Sequence, residues 1–310
     1  MTARPRSIIR TALALLSATG LTACASSPST APTGAPSGRV ITVAASINAW
    51  GSILAQLGGR HARETSIITN PDTDPHDYEP TPADARVIAG AALFVENGIG
   101  YDPWAAKTVS ASPDPHRVVL DVGQLVGIAP GGNPHRWYDP ANVEQVADAI
   151  TADLKKLDPT DAGYFDGQRQ QFENVGLAHY HQLINQIKSR YAATPVGASE
   201  SIFSPMAAAL GLNLITPPTF LKAISEGTEP SAADKATIDA QISGHQIKVY
   251  VYNSQNATPD VAAQVAAAKK ADIPVTTVTE TLSPATASFQ GWQSAQLQAL
   301  QATLAQARGQ

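Results

Sequence analysis

The chain has a single cysteine among its 310 residues, Cys24. One thiol excludes an internal disulfide framework and a zinc–thiolate cluster. No H-E-x-x-H helix signature is present, so the commonest zinc-hydrolase arrangement is missing as well. Positive charge is also scarce: 21 Lys and Arg stand against 26 Asp and Glu, a net charge of −5. That balance argues against nucleic acid and against adhesion to an anionic surface through basic patches. The one sustained apolar run, 11–21, is far shorter than the ~20 residues needed to span a bilayer.

What is there begins with an address. Arg4, Arg6 and Arg10 precede the apolar run, and Leu21-Thr22-Ala23-Cys24 closes it with small residues and the cysteine. This pattern resembles a bacterial lipobox, which implies cleavage after residue 23 and a diacylglyceryl thioether on Cys24, with palmitate-type chains holding the protein to the cell membrane on its extracytoplasmic side. Loss of 1–23 takes three arginines and no acid, leaving 18 basic against 26 acidic residues, a net −8. With Cys24 acylated no thiol remains, and any metal site must use nitrogen and oxygen. Residues 24–38, rich in Ser, Pro, Thr, Ala and Gly, read as a disordered tether.

From 39 onward, strand-like and helix-like segments alternate, which implies parallel sheets with right-handed crossovers. Strands are expected at 40–45, 65–69, 91–95 and 117–120, and again at 195–198, 212–216, 248–252 and 274–278. The fold class is α/β: two similar lobes, 39–157 and 192–310, each a mostly parallel sheet flanked by helices. Between them, 158–191 reads as one long rigid helix with Phe165, Phe172, Val175, His179, Leu183, Ile187 and Tyr191 on one stripe. At 1.5 Å per residue it would reach about 50 Å, and a single stiff connector should restrict hinge closure.

In open α/β sheets ligands bind beyond the carboxyl ends of the strands. The polar residues expected there are His76, His135, Glu200 and Glu280. Two neutral imidazoles and two carboxylates carry −2, which matches a divalent cation, and stranding two acids without one is expensive. Nitrogen with carboxylate oxygen suits Zn, Mn or Fe(II) and disfavours Cu(I), Ca and Mg. His116 reads as a surface turn, His179 as a packing residue on the helical stripe, and His61 and His245 lack companions. Trp137 and Tyr78 either shield the site or pack.

The strings D-P-H-D-Y-E-P-T-P-A-D at 74–84 and N-P-H-R-W-Y-D-P at 133–140 closely resemble the ligand motifs of zinc/manganese-type solute-binding lipoproteins of ABC transporters. The resemblance implies metal ligands at His76 and His135, a third at Glu200 in A-S-E-S-I-F, and a fourth at Glu280 in V-T-E-T-L, where the family usually has aspartate. It implies a monomeric receptor, not an enzyme, that hands Mn, Zn or Fe(II) to a permease and its ATPase. The chain lacks the histidine-rich loop often seen in zinc members, and two histidines with two carboxylates resemble the manganese or iron branch. Two other classes fit the residues less well. A metallohydrolase would use one acid as general base, and an adhesin or surface scaffold would need no metal chemistry.

Overall fold

The computed structural model describes residues 40–71, 73, 78–256 and 258–309. Cys24, the tether and His76 lie outside them. The described residues belong to one compact unit.

The first lobe opens with β1 (Ile41–Ile47), α1 (Asn48–Gly58) and β2 (Ala62–Ile68). It continues with α2 (Pro82–Gly90), β3 (Leu93–Glu96), α3 (Pro103–Ala111), β4 (Val118–Asp121), α4 (Val122–Val126) and α5 (Pro140–Leu157). The connector holds α6 (Ala162–Gln171) and α7 (Ala178–Tyr191). The second lobe has β5 (Pro195–Ala198), α8 (Ser204–Ala209), β6 (Asn213–Leu214), α9 (Pro218–Ser225) and α10 (Ala232–Ser243). It ends with β7 (Val249–Asn253), α11 (Pro259–Lys270), β8 (Val275–Val278) and α12 (Phe289–Arg308).

Both sheets are parallel, ordered β2-β1-β3-β4 and β6-β5-β7-β8. The orders are the same permutation, so the lobes are two copies of one doubly wound scheme. β1 is buried on nearly every residue, as a strand covered by helices on both faces must be. Among the described residues no helix is long and apolar enough to cross a membrane.

The connector departs from the single uniform helix expected. A 3-10 turn covers Pro159–Asp161, and a π-helical turn, Phe172–Gly176, separates α6 from α7. A π turn takes up about one extra residue, so the apolar stripe changes phase there. Phe165 and Phe172 are buried as expected, but Val175 is 63% exposed and His179 is exposed. Leu177, Tyr180 and Ile184 take the inward positions instead. The rule of 100° per residue fails where one residue is added to the turn.

Candidate metal centre

Three adjacent strands of the second lobe end in polar residues that meet. Glu200 lies two residues beyond β5, in extended backbone (φ −157°, ψ 177°) just before a 3-10 turn. Asn253 is the last residue of β7, and Glu280 lies two residues past β8. Since β5, β7 and β8 are neighbours in the sheet, the parallel arrangement places the three side chains along one edge.

The Asn253 amide nitrogen donates to Glu200 Oε1 at 2.5 Å and to Glu280 Oε1 at 3.2 Å. Asn256 Nδ2 donates to Glu200 Oε2 at 2.8 Å. The backbone N–H groups of Glu280 and Thr281 donate to Gln255 Oε1 at 2.7 and 3.1 Å, which fixes where the Glu280 side chain starts. Glu200 is 1% exposed and Glu280 7%. Burial, and then the charge of Glu280, push Glu200 up to about 7, while His135 and the two amide donors oppose the rise.

The first lobe contributes His135, which is fully buried, with Nε2 3.7 Å from Glu280 Oε1. Its position is built from the surrounding motif. Asn133 Oδ1 accepts from the His135 backbone N–H at 3.1 Å and lies 3.0 Å from His135 Nδ1. With Nδ1 donating to Asn133, the Nε2 lone pair faces the acids, the outer-sphere arrangement that orients a histidine ligand. Burial pushes the imidazole down to about 4, the nearby Arg136 adds to the fall, and Glu200 opposes it. The ring is therefore neutral at physiological pH and able to ligate.

The rest of N-P-H-R-W-Y-D-P is scaffold. Asp139 N-caps α5 through the Ala141 and Asn142 N–H groups and pairs with Arg136 at 2.5 Å. Trp137 is fully buried, its ring 5.4 Å from His135, 5.1 Å from Tyr101 and 6.2 Å from Trp50, all edge-on. It packs and also seals the imidazole from water. Tyr138 donates to the Thr279 carbonyl at 2.7 Å, tying the His135 turn to the residue before Glu280.

Two first-lobe residues complete the setting. Asn97, just past β3, accepts from Trp50 Nε1 at 3.0 Å and donates to the Pro134 carbonyl at 3.0 Å, holding the turn that carries His135. Tyr101 donates to Glu280 Oε2 at 2.9 Å. It is presented by a turn with three successive left-handed residues, Gly98 (φ 69°), Ile99 (φ 61°) and Gly100 (φ 87°). A β-branched residue rarely adopts that conformation, and such strain collects at functional sites. Both oxygens of Asp102 receive backbone N–H bonds, from Asn97 and Gly98 at 2.8 Å, and brace it.

Of the four expected ligands, three are described and come to one buried junction: His135, Glu200 and Glu280. His76 is outside the described residues, but its flank is ordered by the same motif. Thr81 and Asp84 form a reciprocal cap at the start of α2. Tyr78 donates to Asp84 at 2.7 Å and packs on Trp104, so its role there is packing. Sequence reasoning missed Tyr101, Asn253, Asn256 and Asn97. Asn253 was within reach, because it directly follows the strand expected at 248–252, at the carboxyl end where ligands gather. Nothing local marks Tyr101. His116 is an exposed turn residue whose N–H is bonded by Asp114, as expected. His61 does have companions: Asp161 at 2.7 Å and Arg60.

Comparison with known proteins bears on this arrangement. The family described as zinc-uptake complex component A, periplasmic, matches residues 43–303. The chain is 29% identical over 130 residues to the manganese-binding lipoprotein MntA of Halalkalibacterium halodurans, covering 40% of this chain and 42% of that protein. It is 23% identical over 217 residues to the high-affinity zinc uptake system protein ZnuA of Bacillus subtilis, covering 64% and 66%. It is 32% identical over 114 residues to the iron-binding protein YfeA of Yersinia pestis, covering 34% and 36%. The chain thus spans between 36% and 66% of these relatives' own lengths. Among solved structures, a Mn-bound periplasmic metal-binding protein from Candidatus Liberibacter asiaticus matches with a TM-score of 0.69 at 18% identity, covering 85% of this chain and 99% of that one. A crystal structure of ZnuA matches with a TM-score of 0.67 at 21% identity, covering 87% and 98%. At these identities the structural likeness is one of fold.

Proposed function

The chain belongs to the periplasmic zinc-uptake component A family, and from that premise we propose that it captures one divalent transition-metal ion between its lobes and delivers it to the permease and ATPase of an ABC importer. The ligands in this reading are His76, His135, Glu200 and Glu280, and the cargo is Mn, Zn or Fe(II). Cys24 carries the acyl anchor, 24–38 is the tether, and the chain works as a monomer on the extracytoplasmic side of the membrane. It binds its ion without turning anything over.

One observation carries the reading. Two acids, 1% and 7% exposed, are gathered by one amide with a neutral imidazole 3.7 Å from one of them. Buried like charges at this spacing are costly, and a doubly charged cation is the partner that offsets both. Both oxygens of Glu200 are held by amide donors, which fixes the carboxyl in place as a ligand requires. The donor set favours Mn or Fe(II) as physiological cargo, while zinc should bind at least as tightly in solution by the Irving–Williams order.

The test is competition titration with a chromogenic chelator. The unmodified chain should bind tightly, and His135→Ala should weaken that binding by more than about 100-fold, since even outer-sphere partners of a metal site are worth about 10–100-fold. Near-unchanged affinity in a His135→Ala variant that melts normally would overturn the proposal.

A further inference from the structure

Asn253 bonds to both acids of the cleft and brings no charge to it. Its Nδ2 donates to Glu200 Oε1 at 2.5 Å and to Glu280 Oε1 at 3.2 Å. The two N–H groups of one amide are thereby divided between two carboxyls. The residue is fully buried, and its amide is held in one sense. Asn253 Oδ1 accepts from the Gln255 backbone N–H at 3.0 Å, and the Asn253 backbone N–H donates to Ser199 Oγ at 3.0 Å. Asn256 acts differently: it donates to the other oxygen of Glu200, at 2.8 Å, and bridges to no second acid.

Two buried acids side by side repel each other, and each is costly without a partner. The groups that act on Glu200 are Glu280, His135 and the amides of Asn253 and Asn256, with no lysine or arginine among them. In the empty cleft it is the Asn253 amide that stands between the carboxyls. Its hold differs from that of an ion in one respect, the span. Two acceptors sharing one amide nitrogen lie about 5 Å apart, whereas two oxygens on one tetrahedral zinc-class ion lie about 3.4 Å apart. An ion taken up by Glu200 and Glu280 therefore draws together the oxygens that the amide keeps apart, and the two-way bond has to be given up.

We propose that Asn253 is a positioning residue that takes the ion's place in the empty site and so eases release. The proposal rests on Glu200 and Glu280 being ligands, as read above. When an ion leaves, two buried acids are stranded, and the amide receives both. Hydrogen bonds to charged groups are the strong ones, so Asn253 stabilises the empty form more than the loaded form. A group that favours the empty form lowers net affinity by that difference. An orienting partner does the reverse, because its loss weakens binding by about 10–100-fold. The sign of the effect therefore separates the two roles.

The experiment uses Zn(II) on the whole chain at pH 8, with affinity from chelator competition, release into excess EDTA by stopped flow, and melting with and without the ion. Asn253→Leu removes both donors and keeps bulk; Asn253→Ala serves if that variant does not fold. The variant should bind about tenfold tighter, the worth of one hydrogen bond to a charged group, and should release its ion correspondingly more slowly. Its empty form should melt lower than the unmodified empty chain by more than its loaded form does. The lost Gln255 bond lowers both forms alike and cancels from that comparison. Affinity unchanged or weakened, or an equal fall in melting temperature with and without zinc, would overturn the proposal. His135→Ala keeps the two readings apart: full affinity there sinks the ligand assignment itself, whatever Asn253 does.

Discussion

Glu200 and Glu280 face each other across one amide, and this sets how the site responds to pH. Glu200 is held up to about 7 by burial and by its neighbour's charge. The folded chain without metal therefore keeps a proton there that an unfolded chain loses near pH 4.5. The stability Glu200 contributes is fully present below that value and is lost as pH rises through about 7. His135 has the opposite sign: pushed down to about 4, it favours the fold above pH 6.5 and ceases to as pH falls toward 4. A metal must displace the Glu200 proton, so affinity should fall as pH drops through 7, above the range set by free imidazole alone. Infrared difference spectra at pH 6 should show a protonated-carboxyl band disappearing on metal addition, and a spectrum without that loss contradicts the assignment. Asn133→Ala, which frees the imidazole from its orienting partner, should weaken metal binding about 10–100-fold with little effect on thermal stability.

At the scale of elements, strand ends and caps do the positioning. Much of this was legible in the sequence, because buried strands and Pro-started helices carry local signals. β5 was expected at the residues where it occurs, whereas the Asp139 cap of α5, inside N-P-H-R-W-Y-D-P, was not foreseen. α3, α4 and α9 were not expected. They are short, and two of them begin at prolines that also read as turns. The π turn left no trace either, since a hydrophobic stripe is equally regular on both sides of a phase change. Glu200 and Glu280 were legible as acids placed just beyond the carboxyl ends of strands. The amides that gather them come from β7 and the loop after it, and an uncharged amide in a loop carries no comparable mark. The cap makes a prediction of its own. Asp139→Ala removes two N–H bonds and the Arg136 pair, and should cost about 1–2 kcal/mol in urea melts. It should also loosen metal binding, because the His135 turn runs directly into that cap. Unchanged metal affinity in a destabilised Asp139→Ala variant would uncouple the two.

On the scale of the whole molecule, the lobes are joined by more than the connector. α12 packs along α7 and reaches α1 of the first lobe. Phe289 N–H donates to Ser52 Oγ at 2.9 Å, and Gln56 and Gln290 exchange side-chain bonds at 2.7 and 3.1 Å. Lys222 of α9 adds a link to the Gly131 carbonyl at 3.1 Å. Two helical bridges resist a hinge more than one does, so loading and release should proceed by local movement. Small-angle scattering should give nearly superimposable profiles with and without metal, while hydrogen exchange changes at α9 and the loop after it. A clear contraction of the whole particle on loading would refute this. The central claim, a dication held by two imidazoles and two acids, is tested most directly by X-ray absorption on the metal-loaded chain. The account predicts a nitrogen and oxygen shell with the outer scattering of two histidines, falling to one in His135→Ala. A shell with no histidine scattering, or one unchanged by that substitution, would contradict it.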